Sequence, residues 1–224
     1  MSETDQDERQ TPKLIIGEVI KNPYKHEQSK TFKPNDKIGP NKVILQIGEG
    51  GSAKVYKVWH EGLEVVRAVK VLKQYTNREA KERFLTEAKI LADIHHPNII
   101  EIHNIGLIDQ LFPFIEMEYV DGISIKSLLK QKGKLPLEVA LSIAYFICQA
   151  LHYAHNKDYT LYGKVYDGLI HRDIKPDNIF FSKNGIIKLM DFGIARPQEA
   201  SLHTVGAKIM GTMVYLSPEQ LNGK

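Results

Sequence analysis

Four polar side chains between positions 173 and 191 have the types and the spacing that phosphoryl transfer requires. Asp173 can accept a proton from a hydroxyl group, and Lys175 can balance charge on a moving phosphoryl group. Asn178 and Asp191 each offer a hard oxygen ligand of the kind that magnesium prefers. The group formed by Asp173, Lys175 and Asn178 is weak evidence alone, and so is Asp191, because short sequence patterns recur by chance. Together they predict metal-assisted transfer of a phosphoryl group.

A hairpin explains the spacing between the two metal ligands. The apolar runs 179–181 and 186–190 flank Asn184-Gly185, and Asn-Gly between apolar runs is a strong hairpin signal. Such a hairpin has Asn178 where it starts and Asp191 where it ends, so we expect the two side chains to converge on one metal ion.

A glycine-rich turn lies upstream in a strand-like part of the chain. The apolar stretches 43–47, 55–59 and 65–71 predict a three-stranded antiparallel meander, and the turn 48–52 joins the first two strands. Backbone amides can approach phosphates only where side chains are absent or small. A plain flexible hairpin is the alternative explanation for such a turn.

A lysine and a glutamate occupy positions where an unpaired charge is costly. Lys70 lies in the third apolar strand, and Glu87 falls on the apolar stripe of a helix predicted over 77–95. A solvent-exposed glutamate is the common alternative for a helix position of this kind. The two anomalies together favour an ion pair between Lys70 and Glu87.

These features, in this order, resemble the signature of the serine/threonine protein kinases. The motifs 117–122 and 171–178 are similar to the bacterial, eukaryotic-like (Hanks-type) branch of that family. The resemblance implies an α+β, two-lobed protein-kinase-like fold, with an antiparallel five-stranded small lobe and a mainly helical large lobe that is incomplete at its C-terminal end. The expected divisions are a polar, flexible N-terminal extension over 1–40, the small lobe over 41–118 and a partial large lobe over 119–224.

The resemblance also implies catalytic roles. Asp173 is the expected base, and Lys175 stabilises charge on the transferring group. Thr212 matches the family threonine that bonds to both. Lys70, braced by Glu87, is expected to position the phosphates of ATP.

The expected nucleotide site combines the glycine-rich turn with the strand that leads out of the small lobe. Met117 matches the gatekeeper behind the adenine, Phe180 matches the floor of the pocket, and Mg²⁺ is assigned to Asn178 and Asp191. The residues expected to bind ATP are Ile47, Gly48, Glu49, Gly50, Gly51, Ser52, Ala53, Lys54, Val55, Ala68, Lys70, Met117, Glu118, Val120 and Phe180.

Two segments depart from the family pattern or carry regulation. An insert over 157–168 precedes the catalytic loop, and we expect a surface hairpin there, with partner docking as the alternative. The activation segment, 191–219, ends in Ser-Pro-Glu where the family has Ala-Pro-Glu. Ser201 and Thr204 within it are candidate autophosphorylation sites, with ordinary loop hydroxyls as the alternative.

Composition excludes several other classes. The 224 residues carry 30 Lys and Arg against 27 Asp and Glu, a mild net charge of +3 that gives no case for nucleic acid or a membrane surface. No unbroken apolar run reaches the roughly 18 residues of a membrane span, and no signal peptide is evident, so a cytoplasmic chain is expected. A single cysteine, Cys148, excludes an internal disulfide and is expected to be buried in an apolar helix over 136–155.

The leading hypothesis is therefore a serine/threonine kinase that acts on protein substrates. The sequence stops soon after Glu219, where kinases continue with further helices, so the apolar helix is expected to expose packing surface. A truncated, non-catalytic nucleotide-binding or interaction module is the first alternative. A small-molecule kinase is the second, although Lys175 and residues 211–219 resemble a platform for a peptide acceptor.

Overall fold

A computed structural model gives the fold of residues 30–73, 78–161, 163–192 and 214–221. Within these ranges the side chains of residues 78–80, 83, 87 and 161 are not described. Thr212, Ser201 and Thr204 therefore lie outside the described residues, as does the side chain of Glu87.

An antiparallel sheet of six strands forms the small lobe. Its strands are β1 (Lys37–Ile38), β2 (Asn41–Glu49), β3 (Ala53–His60), β4 (Val65–Leu72), β5 (Ile102–Ile108) and β6 (Phe112–Glu118), in the spatial order β1-β2-β3-β4-β6-β5. The five predicted strands are present, and β1 adds a short sixth strand at the edge. The meander β2-β3-β4 places the glycine-rich turn at one end of the sheet.

Both faces of this sheet are covered by apolar side chains. Val55 pairs with Lys70 and Lys70 with Ile115 across β3, β4 and β6, so these side chains share the inner face. Tyr56, in contrast, belongs to a separate cluster on the outer face, where it is fully buried. Strands with two covered faces read as nearly continuous apolar runs, which is the pattern of β4 and β6.

Residues 30–41 cover the outer face, although the sequence predicted a flexible extension up to residue 40. Phe32 is 6% exposed, and its ring meets Tyr56 edge-on with the ring centroids 5.5 Å apart. Ile38 is fully buried in the same cluster. The polar and proline-rich composition of this stretch concealed two apolar anchors, which are enough to fix it on the sheet.

One helix packs on the inner face of the small lobe. Helix α1 spans Arg78–Ala92 and ends three residues before the predicted end at residue 95. Phe84, Ala88 and Leu91 are buried along one stripe, as their spacing predicted. Beyond the helix the chain turns towards Pro97, which lacks the amide needed to continue helical bonding.

The described large lobe combines three helices, one of them very short, with short strands. Ser124 caps helix α2 (Ile125–Lys132) by accepting from the Ser127 amide, and Gly133 ends it with a positive φ of 77°. Strands β7 (Gly122–Ser124), β10 (Ile179–Ser182) and β11 (Ile187–Leu189) form a second sheet in the order β11-β10-β7, while β8 (Tyr159–Leu161) and β9 (Lys164–Tyr166) form a separate hairpin. A 3-10 turn covers Pro176–Asn178, and α4 covers Pro218–Leu221.

Helix α3 (Leu137–His155) is less buried than its all-round apolar sequence predicted. It packs against β11, and its buried residues are Ile143, Ile147, Ala150 and Ala154, whereas Leu141 and Tyr145 are each 60% exposed. Cys148 is likewise exposed, so the prediction of a buried thiol was wrong. Among the described residues, β11 packs on one side of this helix and leaves Leu141 and Tyr145 exposed.

With 19 residues and few charges, α3 is also long and apolar enough to cross a membrane. An unbroken apolar run does not reveal this helix, because single polar residues interrupt its apolar sequence. Core helices of globular proteins can be equally long and equally apolar, and α3 packs against β11 as a core helix does.

Candidate active site

The predicted hairpin brings the two candidate metal ligands to one end of the second sheet. Strands β10 and β11 pair Ile179 with Leu189, and the Met190 amide donates to the Asn178 carbonyl at 2.8 Å. Asn178 therefore stands beside the residue that precedes Asp191. The register alone accounts for their proximity, as the Asn184-Gly185 turn implied.

Asp173 lies at the centre of a tight polar cluster. Lys175 Nζ donates to Asp173 Oδ2 at 2.8 Å, and their side chains are 15% and 12% exposed respectively. Asn178 Nδ2 donates to the Asp173 backbone oxygen at 2.9 Å and to Oδ2 at 3.0 Å. Both N–H groups of the Asn178 side chain thus donate to Asp173. The side-chain oxygen of Asn178 is therefore the atom of this residue that can bind a metal.

Lys70 reaches the second metal ligand across the cleft. Its Nζ lies 2.7 Å from Asp191 Oδ1, which joins the inner face of the small lobe to the end of β11. The positive charge of Lys70 lowers the pKa of Asp191 and so keeps that carboxyl group ionised. The predicted ion pair of Lys70 with Glu87 involves a side chain outside the described ones.

A buried histidine, His171, stabilises the catalytic loop (residues 171–178) through hydrogen bonds of its ring. His171 is 1% exposed, and burial lowers the pKa of its ring, which favours the neutral form. Its Nδ1 accepts from the Asp173 amide at 3.2 Å, while its Nε2 lies 3.0 Å from the Met190 carbonyl. A neutral ring with the proton on Nε2 satisfies both bonds. His171 also contacts Phe192, with ring centroids 4.4 Å apart.

Two residues at the site have a backbone conformation that non-glycine residues rarely adopt. Arg172, next to the candidate base, has a φ of +63°, and Asp191 has a φ of +50°. Such conformations cost on the order of 1 kcal/mol each and concentrate at functional sites. Surrounding hydrogen bonds must therefore hold both residues in place.

The glycine-rich turn is fastened to the end of β4. Lys73 Nζ donates to the Gly50 carbonyl at 2.7 Å and pairs with Glu49, whose pKa this contact lowers. A Cβ added at Gly51 would meet no described atom within 4 Å, so packing inside the protein does not require glycine there. Ala53, which stands for the family's third glycine, is buried at the start of β3 without a positive φ.

The other predicted nucleotide contacts lie in several different places. Ala68 and Met117 are paired and buried beside Val55, and Phe180 lies on the face of β10 opposite Ile179. Ile47 is exposed at a bulge in β2, Ser52 is exposed in the turn, and Val120 is half-buried after β6. Lys54 instead turns to the outer face, where its ammonium bonds to Thr31, so only its backbone belongs to the turn.

Glu118 is held from two sides at the strand that leads into the large lobe. Its amide donates to the Glu101 carbonyl at 3.0 Å, so a bond from Glu118 to an adenine would be made by its carbonyl. Its carboxylate binds Lys188 Nζ on β11 at 2.6 Å. Lys188 was not predicted as a site residue, although a lysine inside the apolar strand 186–190 signals a charge partner as clearly as Lys70 does.

Comparison with known proteins identifies the family. The sequence profile of the protein kinase domain matches residues 42–224. A probable serine/threonine-protein kinase of Clostridium perfringens is 39% identical over 189 residues, which are 83% of this chain and 26% of that protein. The serine/threonine-protein kinase PrkC of Bacillus subtilis is 36% identical over 187 residues, which are 83% of this chain and 27% of that protein. The chain thus spans about a quarter of the length of these relatives.

Solved structures give the same assignment. The crystal structure of the Mycobacterium tuberculosis PknI kinase domain has a TM-score of 0.62 and 31% sequence identity, over 74% of this chain and 64% of that one. This likeness supports the two-lobed kinase-like fold. The chain belongs to the protein kinase family, in its bacterial Hanks-type serine/threonine branch.

Proposed function

We propose that this chain transfers the γ-phosphoryl group of ATP to serine and threonine hydroxyls of proteins. The observation that carries the proposal is the cluster in which Lys175 and Asn178 both bind Asp173. A carboxylate held in this way can receive a proton at a fixed position, and the lysine beside it places positive charge where the moving group is negative.

The reaction follows from these positions. The acceptor hydroxyl gives its proton to the Asp173 carboxylate while its oxygen forms a bond to the γ-phosphorus. The bond between that phosphorus and the bridging oxygen breaks, and ADP leaves with the electron pair. Lys70 balances phosphate charge from the small-lobe side, and Lys175 balances it from the side of the base.

Asn178 and Asp191 are the residues that would hold Mg²⁺. The fit rests on the fixed orientation of the Asn178 amide and on the lowered pKa of Asp191, which keeps its carboxylate available. Magnesium is often bound by one or two protein side chains together with phosphate oxygens and water. When bound, it neutralises charge on the phosphates.

The substrates and the setting of the reaction extend this proposal. Protein hydroxyls are the proposed acceptors, and Ser201 and Thr204 are the proposed sites of autophosphorylation. A phosphate in that segment could pair with Arg172, which is exposed next to the base. A cytoplasmic location is proposed because ATP is a cytoplasmic metabolite.

Intact mass after incubation with ATP and Mg²⁺ tests the activity directly. The unmodified protein should gain phosphate, while Asp173→Asn, which keeps the shape but cannot take the proton, should be at least about 100-fold slower. Asp191→Ala should abolish the magnesium-dependent transfer, and retained activity in that variant would refute the assignment of Asp191 to the metal. Equal phosphate gain in the protein and in Asp173→Asn would refute the assignment of the base. Nucleotide binding without any transfer would instead favour a non-catalytic module.

A further inference from the structure

The insert over 157–168 contains a hairpin that carries one stacked aromatic pair and one exposed pair. Strands β8 and β9 pair Tyr159 with Tyr166, and the two rings stack with centroids 5.3 Å apart and planes 10° from parallel. Thr160 and Val165 form the next pair, and both are exposed. Because an isolated two-stranded hairpin is only marginally stable, its position depends on what it contacts.

The base of the hairpin is fastened to the end of α3. Gly168 has a φ of +65°, and a Cβ there would lie 2.2 Å from the His155 carbonyl oxygen. The Leu169 amide donates to the Ala154 carbonyl at 2.8 Å, and Leu169 is 2% exposed. The chain therefore leaves α3 and returns to it at nearly the same point, just before the catalytic loop.

The hairpin also contacts helix α1. Strand β8 lies against α1, and the half-buried Tyr159 packs on the core cluster to which Phe84, Ala88 and Leu91 of that helix belong. The ring of Tyr166 stacks on Tyr159 while remaining 42% exposed itself. The hairpin thus spans the distance between the end of α3 and the helix that carries Glu87.

We propose that this hairpin is a brace for helix α1 and that Tyr159 is a positioning residue for phosphoryl transfer. The inference rests on the proposed kinase function, because the family resemblance gives α1 the glutamate that braces Lys70. Tyr159 fills the contact with α1, Tyr166 supports its ring, and Gly168 fixes the base. A shift of α1 away from the sheet would move Glu87 and leave Lys70 less well placed for the ATP phosphates.

Hydrogen–deuterium exchange over residues 78–92 tests the brace without any need for activity. Tyr159→Ala should raise exchange in α1 and leave exchange in β10 and β11 unchanged. Tyr159→Phe keeps the ring and should behave as the unmodified protein, and Thr160→Ala is the matched control on the exposed face. A smaller increase is expected for Tyr166→Ala, which removes only the stacked support.

Kinetics test whether the brace serves the reaction. Tyr159→Ala should lower kcat/KM for ATP about tenfold and leave the KM for a protein acceptor unchanged. Tyr159→Phe should keep the kcat/KM of the unmodified protein. If Tyr159 acts through Glu87, adding Tyr159→Ala to Glu87→Gln should cause little further loss, since residues that act as a unit are not additive.

The outcomes separate the two proposals. Unchanged exchange in α1 for Tyr159→Ala overturns the brace, and so does a rise spread evenly over the whole chain, which would make Tyr159 a general packing residue. A local rise in α1 in a protein that never transfers phosphate keeps the brace and refutes the proposed function. Full additivity with Glu87→Gln refutes the link to catalysis.

Discussion

The side chain of Gln220 joins the start of α4 to the catalytic loop. The Ser217 amide donates to Gln220 Oε1 at 3.1 Å, and the Gln220 amide donates to Ser217 Oγ at 3.4 Å. This reciprocal pair is a capping box, and it explains why serine works where the family pattern has alanine. Gln220 Nε2 also donates to the Arg172 carbonyl at 3.0 Å. One side chain thus helps to hold the strained residue beside Asp173.

Gln220→Glu should separate the two roles. Glutamate can still accept from the Ser217 amide, but it has no proton for the Arg172 carbonyl and repels it. We expect kcat to fall about fivefold, the loss expected from one hydrogen bond of roughly 1 kcal/mol, with the KM for ATP unchanged. Ser217→Ala, which removes only one bond of the cap, is the control and should retain nearly full kcat. Initial rates with saturating ATP decide the matter; an unimpaired Gln220→Glu enzyme would contradict the positioning role.

Burial of His171 should make the fold sensitive to mild acid. The pKa of His171 is lowered by burial from its ordinary value of 6.5, and burial also lowers the pKa of His96 and of His103. Between the folded and unfolded pKa values the unfolded chain binds more protons. The stabilising contribution is therefore complete above about pH 6.5 and is lost as the pH falls through the folded pKa.

Urea unfolding at pH 7.5 and 5.5 measures this effect. We expect a lower midpoint at pH 5.5, and a smaller difference between the two midpoints in His171→Phe, which keeps a ring against Phe192 but cannot titrate. The same variant should be less stable at pH 7.5, because two hydrogen bonds are lost. His95→Gln, at an exposed position, should keep the full pH dependence. An identical midpoint shift in His171→Phe would show that other groups cause it.

At the scale of elements, the glycine-rich turn is held by a contact from outside it. Lys73 binds both the Gly50 carbonyl and Glu49, so the turn is partly ordered before a nucleotide arrives. Preordering of a loop lowers the entropy cost of binding. Lys73→Ala should therefore raise the Kd for ATP about threefold in a fluorescence titration. Lys37→Ala removes the ion pair with Glu61, far from the turn, and should leave the Kd unchanged. Equal or tighter binding by Lys73→Ala would show that the contact does not assist the nucleotide.

The elements that carry strong local signals were predictable, and those fixed by tertiary contact were not. The β10–β11 hairpin followed from Asn184-Gly185, and the meander β2-β3-β4 followed from its three apolar stretches. The burial of α3 was misjudged, because periodicity gives the apolar faces of a helix but not what covers them. The pairing of Lys70 with Asp191 was not predicted either, since these two residues are 121 positions apart in sequence. Such contacts depend on lobe geometry that no local pattern encodes.

At the scale of the whole molecule, the small lobe has a core on each side of its sheet. The inner cluster continues through α1 to Ile143 and Ile147 of α3, so it joins the two lobes. The outer cluster is separate and includes Phe32 and Ile38. Residues 30–41 should therefore be treated as part of the small lobe, which begins earlier than the predicted boundary at residue 41. The continuous apolar runs of β4 and β6 signalled a second covered face but not which segment covers it.

Phe32 offers a test of this larger small lobe. Its ring is buried against Tyr56, and its amide donates to the Tyr56 hydroxyl at 3.3 Å. Phe32→Ala should lower the free energy of unfolding by about 3 kcal/mol, the usual loss when a buried phenylalanine is truncated. Lys33→Ala, on the exposed neighbour, should change it by less than about 0.5 kcal/mol. Denaturant unfolding gives both values.

Because Phe32 lies on the face opposite the cleft, the variant should keep its Kd for ATP at temperatures where it is folded. A loss of less than about 1 kcal/mol in Phe32→Ala would mean that residues 30–41 rest on the sheet without stabilising it.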